Sequence, residues 1–245
     1  MIALVDIGNT RTKYVLVNET NEWGAVQTHA TSTVLPDEVS KYFNKPLAKA
    51  VIGSVVPEAT SAWQKFFHTL GAKVHVVNAE SPFGFKIGVE EPALVGVDRL
   101  LNMEAALQFD GAVVVVDAGT ATKFDLLEGG LQRTFPGGAI APGLMISYEA
   151  LLARTAQLPQ IELNKHSPVV GYNTETAIRS GVLHGFAAQV DGMILRILDE
   201  KKMPAAATVI STGGNTPFLE GRARFITHHK KHFTLEGLHG IAKKI

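Results

Sequence analysis

Residues 4–13 read Leu-Val-Asp-Ile-Gly-Asn-Thr-Arg-Thr-Lys, and residues 115–123 repeat the pattern as Val-Val-Asp-Ala-Gly-Thr-Ala-Thr-Lys. Each is an apolar run ending in Asp, then one residue, Gly, hydroxyl residues and Lys, with apolar residues beyond. Val, Ile, Leu and aromatic residues on both sides of a Gly-containing turn predict a β-hairpin. A Gly-Thr turn after a strand can aim backbone N–H groups and a hydroxyl at a phosphate. Asp at the strand end suits Mg²⁺, directly or through water. Asp6 and Asp117 lie about 110 residues apart, roughly one small domain. The repeat therefore predicts two similar units that each turn a carboxylate and a Gly-Thr turn toward phosphate chemistry. One copy alone reads first as a plain turn, because Asp, Gly and Thr are good turn formers.

Working outward, Ala50–Val56 and Lys73–Val77 read as strands and Glu58–Leu70 as a helix between them. Strands alternating with helices predict an α/β sheet. Ser81–Pro92 carries two glycines and two prolines and reads as irregular. From Asp98, Leu100, Leu101, Met103, Ala105, Ala106 and Leu107 keep an apolar face at helical spacing. Asp110-Gly111 ends that helix and marks the division of the chain into 1–110 and 111–245. Ala112–Val116 opens the second hairpin, Leu144–Leu152 and Thr174–Leu198 read as helices, and Thr208–Ile210 as a strand.

Composition narrows the function. The chain has 245 residues, 46% hydrophobic and 19% charged, with 23 basic and 23 acidic side chains. A net charge of zero favours neither nucleic acid nor an anionic membrane as partner. The basic run His228–His232 reads as a solvated patch. There is no cysteine, which removes disulfides, thiolate zinc sites and a cysteine nucleophile. No apolar span of about 20 residues occurs, so a soluble, cytoplasmic protein is expected. The phosphate motifs are neither a Walker loop nor a dinucleotide fingerprint.

Three further stretches carry chemistry. Gly137-Gly138-Ala139-Ile140-Ala141-Pro142-Gly143 reads as a glycine-rich loop before a helix whose N-terminus favours anions, or as a tight turn. Thr212-Gly213-Gly214-Asn215 follows a strand; its glycines let a nucleoside lie against the backbone, or simply end the strand. In Gly96-Val97-Asp98-Arg99, Asp98 reads either as a helix N-cap or as a general base, with Arg99 clamping an anion.

Taken in order, Asp6–Lys13, Gly96–Arg99, Asp117–Thr122, Gly137–Gly143, Ser180-Gly181 with Gly185, Thr212–Gly214 and Thr234–Leu238 resemble the type III pantothenate kinases. These belong to the actin-like superfamily with sugar kinases, acetate kinase and heat-shock chaperones. The resemblance implies an α/β fold of two actin-like (ribonuclease H-like) subdomains, each a mixed sheet with helices, with a nucleotide cleft between them. It implies ATP-dependent phosphorylation of pantothenate, the first step of coenzyme A synthesis, by a homodimer.

By the same resemblance, Asp6, Ile7, Gly8, Asn9, Thr10, Arg11, Thr12 and Lys13 embrace ATP, with Asp6 on Mg²⁺. Thr120, Gly213 and Gly214 complete the nucleotide site. Asp98 is the general base, and Val89, Gly96, Val97 and Arg99 surround pantothenate. Thr174 reaches substrate across the dimer interface, and Asp117 holds a monovalent cation, K⁺ or NH4⁺. Two positions depart from the pattern: Val89 stands where many members have tyrosine, and Val97 replaces the commoner Ala. The departures keep open a kinase of the same fold with another hydroxyl acceptor. A non-catalytic nucleotide-binding regulator is the reading from another class.

Overall fold

The computed structural model describes residues 1–32, 36–155, 158–164, 166–203 and 207–245. The chain divides into two compact units, Met1–Gln108 with Phe233–Ile245, and Phe109–His232.

Unit 1 opens with strands β1 (Ile2–Ile7), β2 (Arg11–Val17) and β3 (Gln27–Ala30), then β4 (Lys49–Ser54), helix α1 (Pro57–Thr69) and β5 (Lys73–Val76). A two-residue strand β6 (Lys86–Ile87) and helix α2 (Val97–Ala106) follow. The sheet order is β3-β2-β1-β4-β5. Its first three strands form an antiparallel meander, while β4 and β5 run parallel to β1. The near-continuous apolar run of β1 arises because both its faces are covered. Ala3, Val5 and Ile7 point into a cluster with Trp63, Phe66 and Phe67 of α1, and Leu4 into the opposite cluster with Leu101 of α2.

Unit 2 repeats this topology. Strands β7 (Val113–Ala118), β8 (Ala121–Glu128) and β9 (Thr134–Pro142) form the meander. After helices α3 (Leu144–Ala153) and α4 (Thr174–Glu200), strands β10 (Thr208–Thr212) and β11 (His228–His229) add on in parallel. The order β11-β10-β7-β8-β9 mirrors that of unit 1. The duplicated hairpin is thus the start of a duplicated sheet. Val114, Val116 and Phe124 pack under Leu183, Phe186, Val190 and Ile194 of α4. An Asn173–Thr176 capping box, with Thr176 N–H donating to Asn173 Oδ1 at 2.9 Å, starts that helix.

The glycine-rich stretch Gly137–Gly143 is not a free loop. Residues 137–142 lie within β9, paired along β8 with Gly138 opposite Asp125. A methyl group on Gly138 would meet the Phe124 carbonyl oxygen at 2.0 Å, so glycine here permits strand pairing. The basic run is largely exposed, with His228 and His229 in β11.

The last helix, α5 (Phe233–Ala242), corrects the expected division at residue 110. Leu235, Leu238 and Ile241 complete the Leu4 cluster of unit 1, so 233–245 belongs with the N-terminal part. In α5, His239 is buried between two partners. Trp23 Nε1–H donates to its Nδ1 at 3.3 Å, so Nε2 carries the proton and donates to Asn21 Oδ1 at 3.1 Å. Burial and the nearby Lys243 ammonium lower its pKa. The unfolded chain therefore binds the proton more readily than the folded one. The stabilisation is complete above the unfolded value near 6.5 and is lost as pH falls through the lowered folded value. Half-buried His75 shifts the same way. The urea midpoint is expected to drop between pH 7 and pH 5 by less in His239→Asn than in wild type. Equal drops would rule out the role of His239.

Candidate active site

Asp6 is the penultimate residue of β1, in register with Lys13 of β2 on one side and with Gly53 of β4 on the other. Past it, Gly8 N–H donates to the Arg11 carbonyl at 3.0 Å. Thr31 straps the turn: its hydroxyl donates to Gly8 O at 2.7 Å and its N–H to Thr10 O at 3.0 Å. Since that hydroxyl proton is spent on Gly8, the fully buried Thr12 hydroxyl donates to Thr31 Oγ1 at 3.0 Å. The carbonyls of Gly8, Thr10 and Arg11 are thereby bonded inside the protein, which removes acceptors that would repel a phosphate. Asn9, Thr10 and Arg11 are exposed at the tip. Ile7 and Thr12 are buried, so their side chains are withheld from a ligand. Thr31 escaped the sequence reading because its role depends on strand pairing.

The Gly96–Arg99 element starts α2. Gly96 is the N-cap and Asp98 is the second helical residue, which sets aside the capping role for Asp98. Asp98 Oδ1 instead accepts the Arg99 N–H at 2.9 Å, which orients the carboxylate. A methyl group on Gly96 would sit 2.6 Å from that oxygen, so the glycine makes room for it. A Cβ on Gly53 would lie 3.6 Å from Val97 Cγ1 and 2.5 Å from Leu101 Cδ1. Gly53 pairs with Asp6, so the start of α2 sits at the same carboxyl edge of the sheet as the Asp6 hairpin. That edge is where open α/β sheets bind ligands. Val89 lies in the bend after β6, half-buried and without a side-chain polar atom.

In unit 2, Asp117 is the penultimate residue of β7, in register with Lys123 of β8 and Thr212 of β10. The tip is again tied by its carbonyls. Gly119 N–H donates to Ala121 O at 3.1 Å, Asn215 N–H to Ala118 O at 2.8 Å, and Asn215 Nδ2 to Gly119 O at 2.9 Å. Asn215 thus clasps the hairpin, a role that sequence adjacency to Gly213-Gly214 does not reveal. A methyl group on Gly143, the N-cap of α3, would fall 2.1 Å from Thr120 O. Thr120 and Gly214 are exposed beside this junction. Thr174, the first residue of α4, is exposed.

Lys123 Nζ donates to Asp117 Oδ2 at 2.9 Å, and the two side chains are only 18% and 13% exposed. Lys123 thus pairs with the carboxylate expected to hold a monovalent cation. Its Oδ2 already accepts from an ammonium, and a second positive charge beside that oxygen is repelled.

The type III pantothenate kinase family model matches residues 2–196. A type III pantothenate kinase of Exiguobacterium sp. is 35% identical over 261 residues, covering 100% of this chain and 99% of the relative. The chain belongs to the type III pantothenate kinase family. Its counterpart in Geobacillus thermodenitrificans is also 35% identical, over 100% of this chain and 98% of the relative. Among solved structures, a protein of Sinorhizobium meliloti provisionally named a 2-dehydro-3-deoxygalactonokinase superposes with a TM-score of 0.59 at 14% identity. It covers 100% of this chain and 97% of its own. The fold is that of two actin-like subdomains, as in sugar kinases. Membership of this family disfavours both the regulator and the kinase for another acceptor.

Proposed function

We propose that the chain phosphorylates the primary hydroxyl of pantothenate with ATP, giving 4'-phosphopantothenate, and that Asp98 takes the hydroxyl proton. The observation that carries the residue roles is the shared carboxyl edge of unit 1. There an oriented carboxylate at a helix start shares a sheet edge with the phosphate-type turn that follows Asp6. Asn9, Thr10 and Arg11 at that turn hold ATP phosphates, with Lys13 beside Asp6. In unit 2, Thr120, Gly213 and Gly214 are assigned to nucleotide binding. Arg99, next to Asp98, clamps the carboxylate of pantothenate, and Gly96, Val97 and Val89 shape its pocket.

Phosphoryl transfer needs in-line positioning and charge neutralisation more than covalent help. Asp98 contributes by aiming the hydroxyl and accepting its proton as the bond to phosphorus forms. A kinase dication takes one or two carboxylates and substrate phosphates. The single half-buried carboxylate of Asp6, beside an amide-lined turn, fits Mg²⁺ in that role. Bound there, Mg²⁺ would neutralise charge developing on the phosphates.

We place the reaction in the cytoplasm, where ATP is available, and in a homodimer. Supporting the dimer, α3 leaves Met145, Ile146 and Leu151 exposed, and Val169, Val170 and Tyr172 are exposed just before Thr174. Apolar surface of this kind marks an interface, and it would bring Thr174 to a neighbouring protomer. Among the described residues no helix is long and apolar enough to cross a membrane.

The test is ADP release from Mg²⁺-ATP with and without pantothenate, with sedimentation of the same preparation. Pantothenate-dependent turnover at twice the chain mass is expected. Turnover independent of pantothenate would overturn the substrate, and a monomer of full activity would overturn the role of Thr174.

A further inference from the structure

We propose that Lys123 supplies, from within the chain, the positive charge that a free potassium or ammonium ion would bring to the second hairpin, so that turnover needs no monovalent-cation activator. The inference rests on the kinase reading above and concerns the same site.

The geometry is that of a built pair. Asp117 and Lys123 are directly opposite across β7 and β8, and opposed residues of an antiparallel ladder share a face. The 2.9 Å contact to Oδ2 is therefore set by the register of the hairpin, not by a chance rotamer. Both side chains are largely withdrawn from water, where an ion pair is screened less than at the surface. The other oxygen is confined too. A Cβ on Gly213 would come within 2.7 Å of Asp117 Oδ1, and one on Gly119 within 3.5 Å. The carboxylate is thus wedged between its own hairpin and the Thr212–Asn215 turn.

Lysine ends in a compact ammonium with three N–H donors. It carries the charge and the donor chemistry of NH4⁺, on a tether. Tethering removes the binding equilibrium that makes a free ion an activator. The charge stays beside the tip that presents Thr120, where a phosphate would be neutralised. A potassium ion would have to share Oδ2 with the ammonium and sit next to a like charge.

The test compares wild type and Lys123→Ala in choline chloride, KCl and NH4Cl at one ionic strength, with ATP as its Tris salt. Two readouts are taken: pantothenate-dependent turnover, and the thermal midpoint without substrates. Wild type is expected to change rate by less than about twofold on exchanging choline for K⁺ or NH4⁺, with no K⁺-specific rise in midpoint. Lys123→Ala opens the carboxylate. In choline its rate is expected to fall by about tenfold or more. KCl or NH4Cl restores it saturably and raises the midpoint. Wild type activated more than about fivefold by either salt would overturn the proposal. So would Lys123→Ala with undiminished turnover in choline, or with neither rate nor midpoint responding to the ions. If Lys123→Ala does not fold, the wild-type titration alone decides. The midpoint needs no turnover, so failure of the pantothenate assignment and failure of this proposal are separable.

Discussion

Asp98→Asn is expected to lower kcat by about 10²–10⁴-fold, the range over which a positioned general base contributes. KM for ATP and the thermal midpoint are expected to stay near wild type. The substitution is close to isosteric, and the amide oxygen can still accept the Arg99 N–H that now orients the carboxylate at 2.9 Å. Gly96 leaves the space that either side chain needs. What is lost is the ability to take a proton. A loss confined to kcat would mark an interaction made in the transition state, whereas a rise in KM alone would mark simple binding. Steady-state ADP release with varied pantothenate separates the two. A kcat within about threefold of wild type would remove Asp98 from the chemistry.

Gly213→Ala is expected to destabilise unit 2 and raise KM for ATP, while Gly214→Ala leaves stability nearly unchanged. Gly213 has φ +95, and its added methyl would lie 2.6 Å from the backbone carbon and oxygen of Ala118. The strained backbone costs about 1–3 kcal/mol on its own. Relieving the overlap then means pushing the Thr212–Asn215 turn off the hairpin that it clasps through Asn215. Since that hairpin tip presents Thr120, we expect KM for ATP to rise about tenfold, equivalent to roughly 1.4 kcal/mol. A methyl on Gly214 meets nothing within 4 Å, so the change expected there is within about 0.5 kcal/mol. Urea midpoints of the two variants check the contrast; equal shifts would show that the turn is not clamped as described.

Both hairpins are plain in the sequence because strand, Asp-x-Gly turn and strand are local signals. The α1, α2 and α4 helices are likewise read from the sequence, α2 most directly from its apolar spacing. What escaped is long-range. Gly137–Gly143 has the composition of a loop, and only β8 lying alongside makes it strand. Phe233, Leu235, Leu238 and Ile241 carry the spacing of a helix face, but nothing local says that the face closes the N-terminal unit. The Asp117–Lys123 pair is the sharpest case. Both residues stand out in the motif, but a one-residue slip of register would put the lysine on the opposite face. The straps from Thr31 and Asn215 depend on the same pairing, so the sequence shows the loops without what steadies them.

The return of α5 to the first unit also dictates an order of events at the ribosome. Leu4, Val51 and Leu101 line a face that Leu235, Leu238 and Ile241 complete. Those three emerge only after all of Phe109–His232 has been made. At about 5–20 residues per second, that interval is on the order of ten seconds. Throughout it the first sheet is a half-finished layer with an open apolar side, whereas Phe109–His232 holds every residue of its own core as soon as it has been made. The unit that begins first is finished last, and the nascent chain depends on not aggregating in the meantime.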